Sequence, residues 1–176
     1  MPTALVSLTS IRRSVLLLAA VAMTLALSGG AAAGVSDCRV SLAVNPVKIA
    51  YGLANLEIEC QTAPRVAVVV WGECLFSTHV YGRGRHPDAV GRIGIRLFQR
   101  CRQDGRADGF SAMPFVSRSW TKPSAHSCGI GIGAEAAYRW QGSGPWFGSS
   151  KALLTWPLGA PAALPGIEMM LGYHCH

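Results

Sequence analysis

The sequence predicts an all-β protein, a single antiparallel up-and-down β-barrel of about eight strands that follows an N-terminal signal peptide. Three observations predict it. After residue 33 no stretch repeats its apolar residues at the helical period. Gly and Pro, 20 and 10 residues in the whole chain, recur at short intervals and cut it into short segments. Within many of those segments apolar residues alternate with charged residues or glycine, the period of a strand with two unlike faces.

The chain opens with Arg12 and Arg13, an apolar run over 14–27, and small residues over 28–33. This is the three-part layout of a signal peptide. The apolar run falls short of the ~20 residues that a membrane-spanning helix needs. Cleavage is expected after Ala33, dividing the chain into a signal peptide, 1–33, and a barrel domain, 34–176. Cys38 follows Val35-Ser36-Asp37 rather than the small residues directly, so attachment of a lipid there is not expected. The remaining 143 residues are one domain by size.

Loss of Arg12 and Arg13 leaves 14 basic residues against 9 acidic, a net charge of +5. Arg83, Arg85, Arg100, Arg102, Arg106, Arg118 and Lys122 fall in expected connections. A basic excess is also a mark of nucleic-acid binding, but an exported chain rarely meets nucleic acid, and none is expected as a partner. Outer-membrane lipid head groups or lipopolysaccharide phosphates suit the compartment better. A soluble surface with a modest charge excess is the alternative.

The strands are placed at 39–48, 53–61, 65–75, 89–98, 109–118, 128–140, 150–157 and 166–174. In the first, Val40, Leu42 and Val44 share a face, and Lys48 shares their parity. Pro46 cannot donate to a ladder, so a bulge there shifts the register or Lys48 snorkels at the rim. In the second, Leu56, Ile58 and Cys60 oppose Glu57 and Glu59. In the fourth, Ile93, Ile95 and Leu97 oppose Arg92, Gly94 and Arg96. In the sixth, Ile130, Ile132, Tyr138 and Trp140 oppose Gly131, Gly133, Glu135 and Arg139. In the eighth, Ile167, Met169, Leu171 and Tyr173 oppose Glu168, Met170, Gly172 and His174.

Alternation alone does not say which face is inside. A soluble sandwich turns its apolar face inward, whereas a membrane barrel turns it to lipid. Three features favour the membrane arrangement. Aromatics stand near segment ends, as Tyr138, Trp140, Trp156 and Tyr173 do, where interface girdles form. Glycines accompany the charges on the polar faces, as a tight interior requires. The chain length per strand and connection also fits strands of ~9 to 11 residues. In that arrangement Glu57, Glu59, Glu135 and Glu168 meet Arg92, Arg96 and Arg139 inside, as an ionic network rather than a pore, because eight strands enclose only side chains.

At Val44-Asn45-Pro46, Leu56-Glu57-Ile58-Glu59, Gly129 to Trp140 (GIGIGAEAAYRW) and Pro165 to Tyr173 (PGIEMMLGY), the sequence resembles small bacterial outer-membrane barrels of the outer-membrane protein A and X type, and a family of uncharacterised barrel proteins. The resemblance spans the whole mature part. It implies an outer-membrane location, insertion by the barrel-assembly machinery and no cofactor or metal.

All six cysteines lie after residue 33, an even count that points to disulfides in an exported chain. In a barrel, Cys38 and Cys175 become neighbours where the first and last strands meet. Cys60 with Cys101, and Cys74 with Cys128, are the further pairs that a barrel allows, among fifteen connectivities.

Possible chemistry centres on Ser77 with His79 and His126 with Ser127, in outer loops. A nucleophile needs a base within reach and a third group to orient it, and no G-x-S-x-G elbow occurs, so polar loop residues are the favoured reading. His174 and His176 share parity and can meet one ion, but no third ligand is evident and a solvated terminus is favoured. The basic loop 82–88 lacks the Lys-Ser/Thr ending of a phosphate-binding loop. Trp120, Trp146 and Phe147 fall in connections.

The function expected is therefore a non-enzymatic outer-membrane barrel whose loops 76–88, 117–127 and 158–165 serve envelope integrity or bind a ligand or partner. Two alternatives stand beside it. One is a secreted or periplasmic disulfide-stabilised β-domain binding a partner or small apolar ligand, as lipocalins do. The other is an enzyme that modifies lipid A.

Overall fold

The computed structural model describes residues 39–75, 88–120, 129–142, 144–159 and 161–175. Eight antiparallel strands close into one up-and-down barrel, each paired with its neighbour in sequence and the last with the first. They are β1 (Arg39–Val44), β2 (Leu53–Ala63), β3 (Val66–Leu75), β4 (Ala89–Cys101), β5 (Ala107–Trp120), β6 (Ile130–Gln141), β7 (Trp146–Pro157) and β8 (Leu164–Cys175). A short helix, α1 (Pro46–Ala50), lies between β1 and β2.

The alternating pattern sets the two faces. Leu56, Ile95, Ile132, Ile167 and Leu171 point outward, with Ile95 52% and Ile167 84% exposed. Their neighbours Glu57, Arg96, Glu135 and Glu168 point inward, with Glu57 2% and Arg96 1% exposed. The two ends differ. At one, the connections 64–65, 102–106 and 142–145 are short. At the other, α1 with its flanking residues and the connections 76–88, 121–129 and 158–163 are longer. These are called the short-turn end and the long-loop end.

Several expected boundaries move. The first strand stops at Val44 instead of running to 48, and its last residues form α1. Asn45 caps that helix, its side chain accepting from the Lys48 amide at 3.1 Å, and Pro46 follows at the first helical position, where its missing N–H costs nothing. Asn55 fixes the cap from β2, accepting from the Asn45 amide and donating to its carbonyl. Strand β4 extends to Cys101 and β5 begins at Ala107, so the connection expected at 99–108 shrinks to a tight turn closed by Arg102 and Arg106. Gly105 adopts φ +79° within it, a conformation that favours glycine. Arg100, Arg118, Trp120, Trp146 and Phe147 are strand residues, not loop residues, because β4, β5 and β7 are longer than the local alternation implies.

The glycines on the inner faces make room for rings. Phe147 packs directly over Gly172, and Phe115 over Gly133, where any Cβ would collide with the aromatic carbons. Pro114, which has no N–H to give, faces outward on β5, and the β4–β5 pairing lapses around it between Gly94↔Phe115 and Leu97↔Ala112. An open groove of about 810 Å³ lies over this interruption, lined by Val68, Ile93, Ile95, Val116 and Trp156 among others.

Candidate functional site

The barrel interior is the most organised cluster of reactive groups. The structure places Glu57, Glu59, Arg92, Arg96, Glu135, Arg139 and Glu168 in it and joins them by ion pairs. Arg96, on β4, lies at the centre. Its Nη1 donates to Glu57 at 2.9 Å and Glu59 at 2.6 Å, and its Nη2 to Glu135 at 2.7 Å. One guanidinium thus separates three carboxylates that would otherwise repel one another at close quarters.

Two further cations complete the group. Arg139 from β6 grips Glu59 with both terminal nitrogens, and Lys151 from β7 pairs with Glu57 and lies 3.7 Å from Glu135. Lys151 is 2% exposed. Alternation does not assign it, because β7 carries apolar residues on both faces and its parity is not legible in Ser149-Ser150-Lys151-Ala152-Leu153-Leu154.

A second group sits toward the long-loop end. Lys48 reaches in from α1 and pairs with Glu73 and Glu168, each at 2.7 Å, while Arg92 pairs with Glu168 at 3.1 Å. Trp71 lies beneath them, with the Arg92 guanidinium 4.0 Å and the Lys48 ammonium 4.9 Å from its ring centre. Lys48 is therefore neither a bulge residue nor a rim residue that snorkels to solvent. Its helix directs it into the mouth of the barrel. Glu73 was also missed, since β3 reads as an almost continuous apolar run.

Among the described residues, five carboxylates (Glu57, Glu59, Glu73, Glu135, Glu168) and five cations (Lys48, Arg92, Arg96, Arg139, Lys151) share these contacts, so the interior is electrically balanced. Buried charges tolerate removal from water only when paired and hydrogen-bonded. Aromatic and aliphatic side chains fill the space between them. Phe98 and Phe147 face the Arg139 guanidinium at 4.8 and 4.2 Å, and Val69, Met113, Phe115 and Leu153 pack together.

The remaining candidate residues fall as follows. His174 lies inside the barrel rather than at a solvated terminus, with Nδ1 2.7 Å from the Ser41 hydroxyl and its ring against Phe147. No group of three or more His, Cys, Asp or Glu side chains is placed to hold a metal ion among the described residues. Ser77, His79, His126, Ser127, His176, Cys38 and Cys128 lie outside those residues, as does segment 1–33, the expected signal peptide.

The expected disulfide scheme is corrected. Cys74, Cys101 and Cys175 carry free thiols, so the pairs Cys38–Cys175, Cys60–Cys101 and Cys74–Cys128 are not made. Cys60 is buried and is not among the free thiols. Proximity at a barrel rim did not suffice to choose partners, since a disulfide needs Cβ atoms within about 4.5 Å and correctly aimed.

On the outer face, aromatics gather at both ends. Phe110 meets Tyr138 edge-on at 4.8 Å and Trp146 meets Tyr173 at 5.1 Å near the short turns, with Trp140 beside them. Trp156 is exposed near the long loops, where Arg118 lies 5.5 Å from the Trp120 ring. No helix among the described residues is long and apolar enough to cross a membrane, which leaves crossing by strands open. No family model, no curated protein and no solved structure matches the chain.

Proposed function

We propose that this chain is a non-enzymatic outer-membrane barrel protein, inserted by the barrel-assembly machinery, whose long-loop end serves envelope integrity or binds a ligand or partner. The observation that carries the proposal is the direction of the two faces, aliphatic side chains outward and paired charges inward. That direction is costly in water and favourable in hydrocarbon. Dimensions agree. Twelve-residue strands such as β6, rising about 3.3 Å per residue at a tilt of about 40°, span about 30 Å, the thickness of a bilayer's hydrocarbon core.

The ionic interior weighs against the other two readings in different degrees. A carrier of apolar ligands needs a chamber lined mainly by apolar groups, and here paired charges occupy the centre. A lipid A-modifying enzyme would have to place its chemistry elsewhere, in the loops that hold Ser77, His79, His126 and Ser127. Fractionation of the exporting cell tests the proposal. Sarkosyl-insoluble protein whose gel migration changes on heating is expected, and a soluble periplasmic pool would overturn it. Unchanged lipid A after replacement of those four loop residues is expected, and altered lipid A would reinstate the enzyme.

A further inference from the structure

We propose that the short-turn end is a docking surface for anionic phospholipid head groups, an inference that rests on the membrane reading above. The described residues there include Arg39, Arg65, Arg100, Arg102 and Arg106 against Asp104 and Asp108. The short-turn end therefore carries a net positive charge of three on the barrel's own framework.

The five arginines divide into two sets. Arg39 donates to the Asp104 carbonyl and Arg106 to the Gly144 carbonyl at 3.1 Å, so these two tie neighbouring turns together. Arg65, Arg100 and Arg102 are exposed. Arg102 lies 3.9 Å from the Asp104 carboxylate, a weak and solvated contact. Arg100 runs its methylenes across Gly109, next to the Phe110–Tyr138 pair.

That last placement identifies the partner. Aromatic girdles sit at head-group depth, so Arg100, beside Phe110 and Tyr138, and Arg65 and Arg102 in the turns of the same end stand at the level of lipid phosphates. Guanidinium binds phosphate with two parallel hydrogen bonds. A zwitterionic lipid cancels its phosphate with its own cation, and an anionic lipid does not. Each basic residue near an anionic surface contributes roughly a fivefold preference, and three exposed arginines therefore select the anionic lipid by an order of magnitude or more.

The test refolds the full chain into phosphatidylcholine vesicles containing equal fractions of acyl-brominated phosphatidylglycerol or acyl-brominated phosphatidylcholine, and reads quenching of tryptophan fluorescence. Brominated phosphatidylglycerol is expected to quench more strongly. The excess should vanish in the Arg65→Gln/Arg100→Gln/Arg102→Gln variant and, in the unaltered chain, on raising salt, which covers a variant that fails to fold. Equal quenching by the two lipids in an inserted, heat-modifiable barrel overturns this inference alone. An excess that survives both the substitutions and the salt also overturns it. Absence of quenching by either lipid overturns the membrane reading, and this inference with it.

Discussion

Arg139 and Glu59 face each other across the barrel interior as a two-pronged ion pair, Nη1 to Oε1 at 2.8 Å and Nη2 to Oε2 at 2.7 Å. Glu59 also accepts from Arg96, so one carboxylate serves two buried guanidiniums. Replacing Glu59 by Gln takes the carboxylate from Arg139 and one of three from Arg96. A loss of about 3 to 5 kcal/mol in unfolding free energy is expected, the usual cost of breaking a buried pair from one side. Urea titration in vesicles measures it, and the Glu59→Gln/Arg139→Gln double variant should lose less than the two single losses combined.

Ile95 stands midway along β4 on the outer face. Its replacement by Arg should cost about 2 to 4 kcal/mol in a bilayer. A change within about 0.5 kcal/mol, the usual effect at a surface facing water, would contradict the outward apolar face as a lipid contact.

Gly172 supports the Phe147 ring, whereas Gly142 has open space where its Cβ would be. Gly172→Ala is expected to destabilise the barrel by about 1 to 3 kcal/mol through overpacking. Gly142→Ala should leave the unfolding midpoint nearly unchanged. Equal effects would remove the close-packing account of the inner glycines.

Asp104, in the β4–β5 turn, has its carboxyl held below the ordinary value of 3.8, first by the Arg106 backbone N–H that it accepts and then by the guanidiniums of Arg106, Arg102 and Arg39, while slight burial opposes them. A depressed folded-state value means that Asp104 contributes stability above its unfolded value, and that the contribution fades as pH falls from about 4 through the lower folded value. Asp104→Asn should therefore flatten the acid limb of the turn's stability, read as amide exchange of Gly105 and Arg106 against pH. An unchanged profile would refute that role.

How far the interior was legible follows from the faces of each strand. In β2, β4, β6 and β8 the charges alternate with aliphatics, so parity alone places Glu57, Glu59, Arg92, Arg96, Glu135, Arg139 and Glu168 together. In β3 and β7 both faces carry apolar residues, because Trp71, Val69, Phe147 and Leu153 also pack inside between the ions. There Glu73 and Lys151 have no contrasting neighbours to reveal their side. Lys48 escaped for a local reason: Asn45-Pro46 reads both as a strand irregularity and as a helix start, and only the hydrogen bonds to Asn55 decide between them. The cysteine pairs depended on rim geometry that alternation does not encode.

The shortness of β1 bears on how the barrel comes into being. Val40 to Val44 pair with Cys175 to Leu171, linking the two ends of the domain through a strand of 6 residues, whereas β4 and β5 run 13 and 14 residues and adjoin in sequence. The entropic toll of ring closure rises with the length of chain between the joined segments. The β1–β8 seam therefore carries the largest closure entropy of the eight strand pairings and is held by the shortest strand. A chain cut before Leu164 would keep its central hairpins and never become a ring.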